Sequence, residues 1–226
     1  AILEDGKLLG EDFNNTRQTH SQTLLPMVES VLQCTGSTLE EIGLFAVSAG
    51  PGSFTGVRIG VACIKGLAFP KDTLCAGVST LEAMAYNLVD REGILCAVMD
   101  ARCGQVYNAL FAADGKKLTR ITEDRALAAE ELAQECKKYE QPIFLVGDGA
   151  ELCYNKDSFQ QLNVELPPQP LRYQRAWGVA LAAGKAYQEG KAVVPAQLAP
   201  VYLRLPQAER ELKKRLEQKK EMEDKK

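Results

Sequence analysis

The alternation of apolar and polar positions begins as a hairpin. Ile2, Leu3, Leu8 and Leu9 flank Asp5-Gly6, a dipeptide suited to a tight turn with positive φ. After a polar stretch from Asn14 to Gln18, Leu24, Leu25, Val28, Val31 and Leu32 recur at helical spacing. Pro26 falls inside that run, which predicts either a kinked helix or a helix that starts later than His20. Leu44 to Val47 reads as a short buried strand, Thr55 to Phe69 as a helix and Leu74 to Val78 as a second strand. Ser79 followed by Glu82 predicts a capping box at the start of another helix.

The polar break Asp90-Arg91-Glu92-Gly93 divides the pattern. Strands are predicted beyond it over Ile94 to Met99 and Gln105 to Ala112, with a turn at Asp114-Gly115. A helix over Ala129 to Tyr139 and a strand over Ile143 to Val146 follow, and Gly147-Asp148-Gly149 leads into a further helix. Arg175 to Glu189 is a helix rich in small residues, with Trp177 and Leu181 on one face and Trp177 as a core anchor. A hairpin followed by alternating helices and strands occurs twice, which predicts two similar α/β lobes. The expected boundaries are residues 1–92, residues 93–206 and a charged, helical tail over 207–226. Glu209/Lys213, Glu211/Arg215 and Glu221/Lys225 in that tail are i,i+4 pairs.

Composition narrows the function classes. The net charge is -3, with acids and bases interspersed even in the tail. A chain that gripped RNA by itself would carry a basic patch, so any nucleic-acid role is expected to act through a partner. No run approaches the roughly 20 apolar residues of a membrane-spanning helix. The 7 cysteines are odd in number and include no C-x-x-C pair. They read as reduced core residues of a cytoplasmic protein, not as a disulfide frame or zinc site.

The segment most suggestive of a site is Gly50-Pro51-Gly52-Ser53-Phe54-Thr55-Gly56-Val57-Arg58-Ile59-Gly60, between a predicted strand and a predicted helix. Gly50, Gly52, Ser53 and Thr55 could cradle an anion with backbone amides, or the glycines could serve tight packing. Val57 stands where a Walker A loop has its lysine. Gly52, Gly56 and Gly60 recur every four residues and share one helical face. Each glycine costs a helix interior about 0.8–1.0 kcal/mol relative to alanine. Such a smooth stripe admits a closely packed neighbour, either internal or a second chain. Ile59, Cys63 and Ile64 beside it, with Met27 and Val31 from the preceding helix, are candidate apolar contacts. Catalytic candidates are sparse. His20 is the single histidine, with a structural hydrogen bond as its expected use, and Asp100-Ala101-Arg102 could hold substrate or form a turn salt bridge.

The glycine segment resembles the signature of the TsaB (YeaZ) family. Four further segments support the likeness in order along the chain: His20-Ser21-Gln22-Thr23-Leu24-Leu25-Pro26, Asp100-Ala101-Arg102 with Gln105-Val106-Tyr107, Gly147-Asp148-Gly149-Ala150, and residues 200–210. The resemblance implies a two-lobed actin/Hsp70/sugar-kinase-like (ASKHA) α/β fold, each lobe a mixed sheet flanked by helices. It implies a scaffold subunit without catalysis of its own, paired with the catalytic paralogue TsaD in forming tRNA threonylcarbamoyladenosine. The small ATPase TsaE joins the larger complex, and tRNA is contacted indirectly. The catalytic paralogue carries Gly-Val-x-His-x-x-x-His, whose histidines hold its metal. Here the matching stretch is Gly77 to Met84, with Thr80 and Met84 at the histidine positions. Neither is a good ligand for zinc or a hard divalent ion. No cofactor is expected, with ATP or ADP only at the interface with TsaD. The alternatives are an autonomous ATP-dependent or metallopeptidase-like enzyme, and a structural homodimer where TsaD is absent. The family's opening strand, ending in Asp-Thr-Ser, has no counterpart in this sequence, and its absence is expected to expose a sheet edge.

Overall fold

In a computed structural model of the chain, residues 1–16 and 18–204 are described. The charged tail and its i,i+4 pairs lie outside the described residues. Ten strands and eight α-helices are present among the described residues. The N-terminal hairpin forms as expected: β1 (Ile2–Glu4) pairs antiparallel with β2 (Lys7–Gly10), and Asp5 (φ 47) and Gly6 (φ 81) both adopt positive φ in the turn. Helix α1 (His20–Thr35) starts at His20 and runs through Pro26, so the later start does not occur. Strand β3 (Phe45–Gly50) crosses through α2 (Phe54–Ala68) to the parallel β4 (Cys75–Ser79). Phe45, Val57, Val61 and Cys75 form a core between α2 and this pair of strands. The described strands leave β1 paired only with β2, and β3 only with β4, so each has one edge without a strand partner.

The larger sheet follows. Strand β5 (Glu92–Asp100) lies between β6 (Gln105–Asp114), antiparallel to it, and β9 (Ile143–Val146), parallel to it. β5 begins at Glu92, the last residue of the expected first segment 1–92. β7 (Leu118–Arg120) and β8 (Arg125–Ala128) both pair with β6, and β10 (Val164–Glu165) pairs with β9. The apolar run along β5 is continuous because both faces are covered. Ile94, Cys96 and Val98 face α4 (Ala129–Cys136) and α5 (Ala150–Tyr154), while Leu95, Ala97 and Met99 face α3 (Thr80–Ala85). Period-2 geometry assigns alternate side chains to these two cores. α4 ends at Cys136, short of the expected Tyr139.

Helices α3 and α8 (Ala176–Gln188) lie against each other between the two sets of strands. Trp177 and Leu181 are only half-buried; the fully buried face of α8 is Gly178, Ala182 and Ala183. The reason is steric. A Cβ on Gly178 would lie 2.1 Å from the Ala83 carbonyl oxygen, so only small residues allow α8 to approach α3 this closely. Ser79 caps α3 by accepting the Glu82 N–H at 3.1 Å. The Glu82 carboxylate does not complete the expected capping box. It accepts instead from Arg120 at 2.8 Å and from Lys185 at 3.2 Å, tying α3 to β7 and α8. A second tie joins α8 to the N-terminal hairpin. Glu11, which follows β2, accepts the Trp177 N–H at 3.0 Å and pairs with Arg175.

Cys75, Cys96, Cys136 and Cys153 are buried, Cys63 is half-buried, and Cys34 and Cys103 are exposed. The exposed pair departs from the expectation that the cysteines are core residues. Cys34 lies on the solvent side of α1, and Cys103 in the tight connection between β5 and β6.

Candidate functional site

The glycine-rich segment joins β3 to α2. The Gly50-Pro51 peptide is cis, and Ser53 caps α2, its Oγ accepting the Gly56 N–H at 3.4 Å. Gly50 has φ +134, and a Cβ there would lie 2.2 Å from the Val201 carbonyl oxygen. A strap over residues 198–204 causes this crowding. Leu198 is buried in the α2 core, Lys65 donates to the Ala196 and Leu198 carbonyls, and the Val201 N–H donates to Ala49 at 2.7 Å. The strap ends with Arg204 donating to the Ala101 carbonyl at the far end of β5. Of the four anion-loop candidates, Gly50 is covered by the strap, Gly52 abuts Val57, and the Ser53 hydroxyl serves the helix cap. Thr55 is exposed.

The glycine stripe meets neighbours within the chain. A Cβ on Gly56 would touch the His20 ring at 3.0 Å, and one on Gly60 would touch Val47 of β3 at 3.2 Å. His20 therefore serves as a packing partner for Gly56, and among the described residues its ring makes no hydrogen bond. The other interface candidates divide. Val31 is buried against Gly10, Ile64 packs on the Phe45/Val61 core, and Gly60 faces β3, so these three are turned inward. Met27, Ile59 and Cys63 are half-exposed.

Two exposed residues extend this surface and were not singled out from the sequence. Ala62 completes a stripe on α2 with Ile59, Cys63 and Gly66, at i, i+3, i+4 and i+7. Leu25 on α1 is 58% exposed and lines a shallow groove of about 520 Å³ with Val28, Leu32, Leu39 and Leu67. Helical periodicity alone could have found the α2 stripe, but not which side of the helix the sheet covers. Burial raises the Cys63 thiol above its ordinary value, so it presents a neutral, apolar contact.

The segment from Gly77 to Met84 carries no cleft chemistry. Thr80 is 5% exposed, with no hydrogen-bond partner for its hydroxyl among the described residues, and Met84 is fully buried among Leu81, Leu88 and Leu95. Among the described residues, no group of three or more His, Cys, Asp or Glu side chains is placed to hold a metal ion. At Asp100-Ala101-Arg102 the chain forms a turn, with no salt bridge from Asp100 or Arg102 among the described residues. The Asp100 carboxylate accepts the Arg102 N–H at 2.7 Å, and Arg102, Cys103 and Gly104 take positive φ.

The family profile described as "TsaD: tRNA N6-adenosine threonylcarbamoyltransferase" matches residues 10–212. The Escherichia coli K12 tRNA threonylcarbamoyladenosine biosynthesis protein TsaB is 32% identical over 207 residues, 90% of this chain and 88% of that protein. This chain belongs to the TsaB (YeaZ) family. The Bacillus subtilis TsaB protein is 30% identical over 152 residues, 67% of this chain and 66% of its own length. A Pseudomonas aeruginosa crystal structure, described as a protein with similarity to the peptidase YeaZ, superposes with a TM-score of 0.71 at 28% identity. It covers 83% of this chain and 85% of its own. The TsaB family thus shares both the sequence and the mixed α/β architecture found here. No helix among the described residues is long and apolar enough to cross a membrane.

Proposed function

We propose that this TsaB-family chain is a non-catalytic dimerisation and scaffold subunit that binds and activates the catalytic subunit TsaD in tRNA N6-threonylcarbamoyladenosine formation. The observation that carries the reading is the state of Thr80 and Met84. Where the catalytic paralogue has metal-binding histidines, this chain has a buried hydroxyl and a core thioether. Met84 is thus spent on packing between α3 and the larger sheet, and Thr80 is buried beside it at the start of α3. The apolar stripe of Ile59, Ala62 and Cys63, with Met27 and Leu25 on α1, supports docking of a helical face from TsaD.

The same reading treats residues 1–92 and 93–206 as the two lobes of an ASKHA-type fold, with α3 and α8 between their sheets. Gly56 and Gly60 then contribute indirectly. By letting α1 and β3 pack closely on α2, they set the height at which Ile59 and Cys63 stand above the surface. TsaE joins in the larger cytoplasmic complex, tRNA is held mainly by TsaD, and a nucleotide binds only where TsaB and TsaD meet. Co-purification with the TsaD of the same cell, followed by a threonylcarbamoylation assay, tests the proposal. The expected result is a stable complex whose transfer activity is lost when this chain is withheld. Full transfer by TsaD alone would overturn it.

A further inference from the structure

Arg58 stands on α2 just before the apolar stripe and is held on two sides. Its Nε donates to the Tyr202 hydroxyl at 2.8 Å, and its Cζ lies 4.0 Å from the Phe54 ring centroid and 5.8 Å from that of Tyr202. The two rings stack on each other, with centroids 4.7 Å apart and planes 28° from parallel. Tyr202 belongs to the strap that Val201 and Lys65 fasten to β3 and α2, so the hydroxyl that fixes Arg58 is itself fixed. A guanidinium has five N–H donors in a rigid fork. Here one is engaged by Tyr202, and the terminal nitrogens have no hydrogen-bond partner among the described residues.

Arg120, Arg125, Arg172 and Arg175 each pair with a carboxylate. Among the described residues, no carboxylate lies within ion-pair distance of Arg58, although its side chain is exposed and aligned. A guanidinium already immobilised by an aromatic face and a hydroxyl loses little further conformational freedom when a planar anion arrives. We infer that Arg58 is a preformed carboxylate receptor at the edge of the docking surface, and that the partner presents an Asp or Glu side chain to it. The inference rests on the reading of the α1/α2 face as the surface that meets TsaD.

The surroundings favour a protein carboxylate over an RNA phosphate. Four and seven residues on, the face of Arg58 continues with Ala62, exposed and apolar, and Lys65, whose amine is already spent on the Ala196 and Leu198 carbonyls; Ile59 and Cys63, apolar and half-exposed, lie alongside, where a phosphate-tracking surface would place further cations. The chain's net charge of -3 points the same way. Aromatic, Tyr and Arg anchors beside an apolar patch are the residue types that dominate protein–protein binding energy.

The test measures affinity for the cell's own TsaD by calorimetry at two salt concentrations, using wild type, Arg58→Ala, Arg58→Lys and Tyr202→Phe. Arg58→Ala is expected to weaken binding by about tenfold or more and to flatten the salt dependence, with circular dichroism and melting temperature unchanged. Arg58→Lys should recover the salt dependence but only part of the affinity, because the bidentate fork is lost. Tyr202→Phe should fall between wild type and Arg58→Ala. Wild-type affinity in Arg58→Ala, or weakened binding with the wild-type salt dependence, would overturn the inference while leaving the docking surface in place. Loss of tRNA binding without loss of TsaD binding would replace the carboxylate with a phosphate. A wild-type chain that does not bind TsaD would remove the underlying reading and this inference with it.

Discussion

Around the six-stranded sheet, both faces of the central strands are matched by covering layers. β5 sends Leu95, Ala97 and Met99 to one core and Ile94, Cys96 and Val98 to the other, and Asn108, the buried polar residue of β6, has its amide satisfied by the Ala97 carbonyl at 3.0 Å. Around β1 to β4, two separate two-stranded sheets carry α1 and α2, whose outer faces keep Leu25 and Ala62 exposed and Ile59 partly exposed. Both regions use the same chemistry of helix on sheet. Among the described residues, one part of the chain completes its own core, whereas the other presents apolar surface at its periphery.

The widest contrast should appear when a leucine is truncated in each region. Leu110→Ala removes a fully buried β6 side chain from the core shared with β5 and α4 and is expected to cost about 2–5 kcal/mol in urea denaturation. Leu25→Ala should stay within about 0.5 kcal/mol, because the side chain is 58% exposed. Equal losses would break the distinction between a closed and an open region.

Glu11 probes the tie between the regions. Glu11→Gln removes charge from a carboxylate whose side chain is 6% exposed, and should cost about 1.5–3 kcal/mol. Burial alone would raise this carboxyl, but hydrogen bonds from Arg175 and the Trp177 N–H outweigh it and leave it below its ordinary value of 4.5. The stabilisation is therefore fully present above that value and is lost as pH falls through the lower folded value. The gap in denaturation midpoint between wild type and Glu11→Gln should be constant at neutral pH and close only in more acidic buffer. A gap that instead widens on acidification would contradict the assigned sign.

Two substitutions on α2 separate its inner and outer sides. Gly60→Arg should lower stability by about 1–3 kcal/mol through overpacking alone, because Val47 lies directly against the glycine. Ala62→Arg should leave circular dichroism and melting unchanged yet abolish co-purification with TsaD. A Gly60→Arg chain as stable as wild type would mean that the glycine faces outward. Among the substitutions expected to destabilise the chain, the mildest is Ser79→Ala. It should cost about 1 kcal/mol, since only the Ser79 half of the capping box at α3 is formed.

Much of this architecture was legible along the chain. The Asp5-Gly6 hairpin, the strands at Phe45 and Ile143 and the helix after the glycine loop were all marked by period or turn chemistry. The short β7 and β8 were not, because three and four residues carry too little alternation to register. They exist because β6 offers them a ladder. The buried face of α8 was misread as well. Trp177 is the larger apolar group, but the crossing with α3 demands Gly178 and the alanines. At the candidate surface, spacing identified Ile59 and Cys63 as neighbours, while Val31, Gly60 and Ile64 proved to face inward.

By itself the sequence determined where most of the longer helices and strands lie, which side chains share a face, the lack of histidine at positions 80 and 84, and the family. Only the tertiary structure decided which of two faces of α2 is spent on the chain's own sheet, that Glu82 leaves its cap for Arg120 and Lys185, and that the strap brings Tyr202 to Arg58. The physical reason is range. Periodicity and capping arise from contacts within a few residues, and so can be read locally. What covers a face, or holds a guanidinium, comes from a segment 144 positions away, as for Arg58 and Tyr202, and no local pattern encodes that meeting.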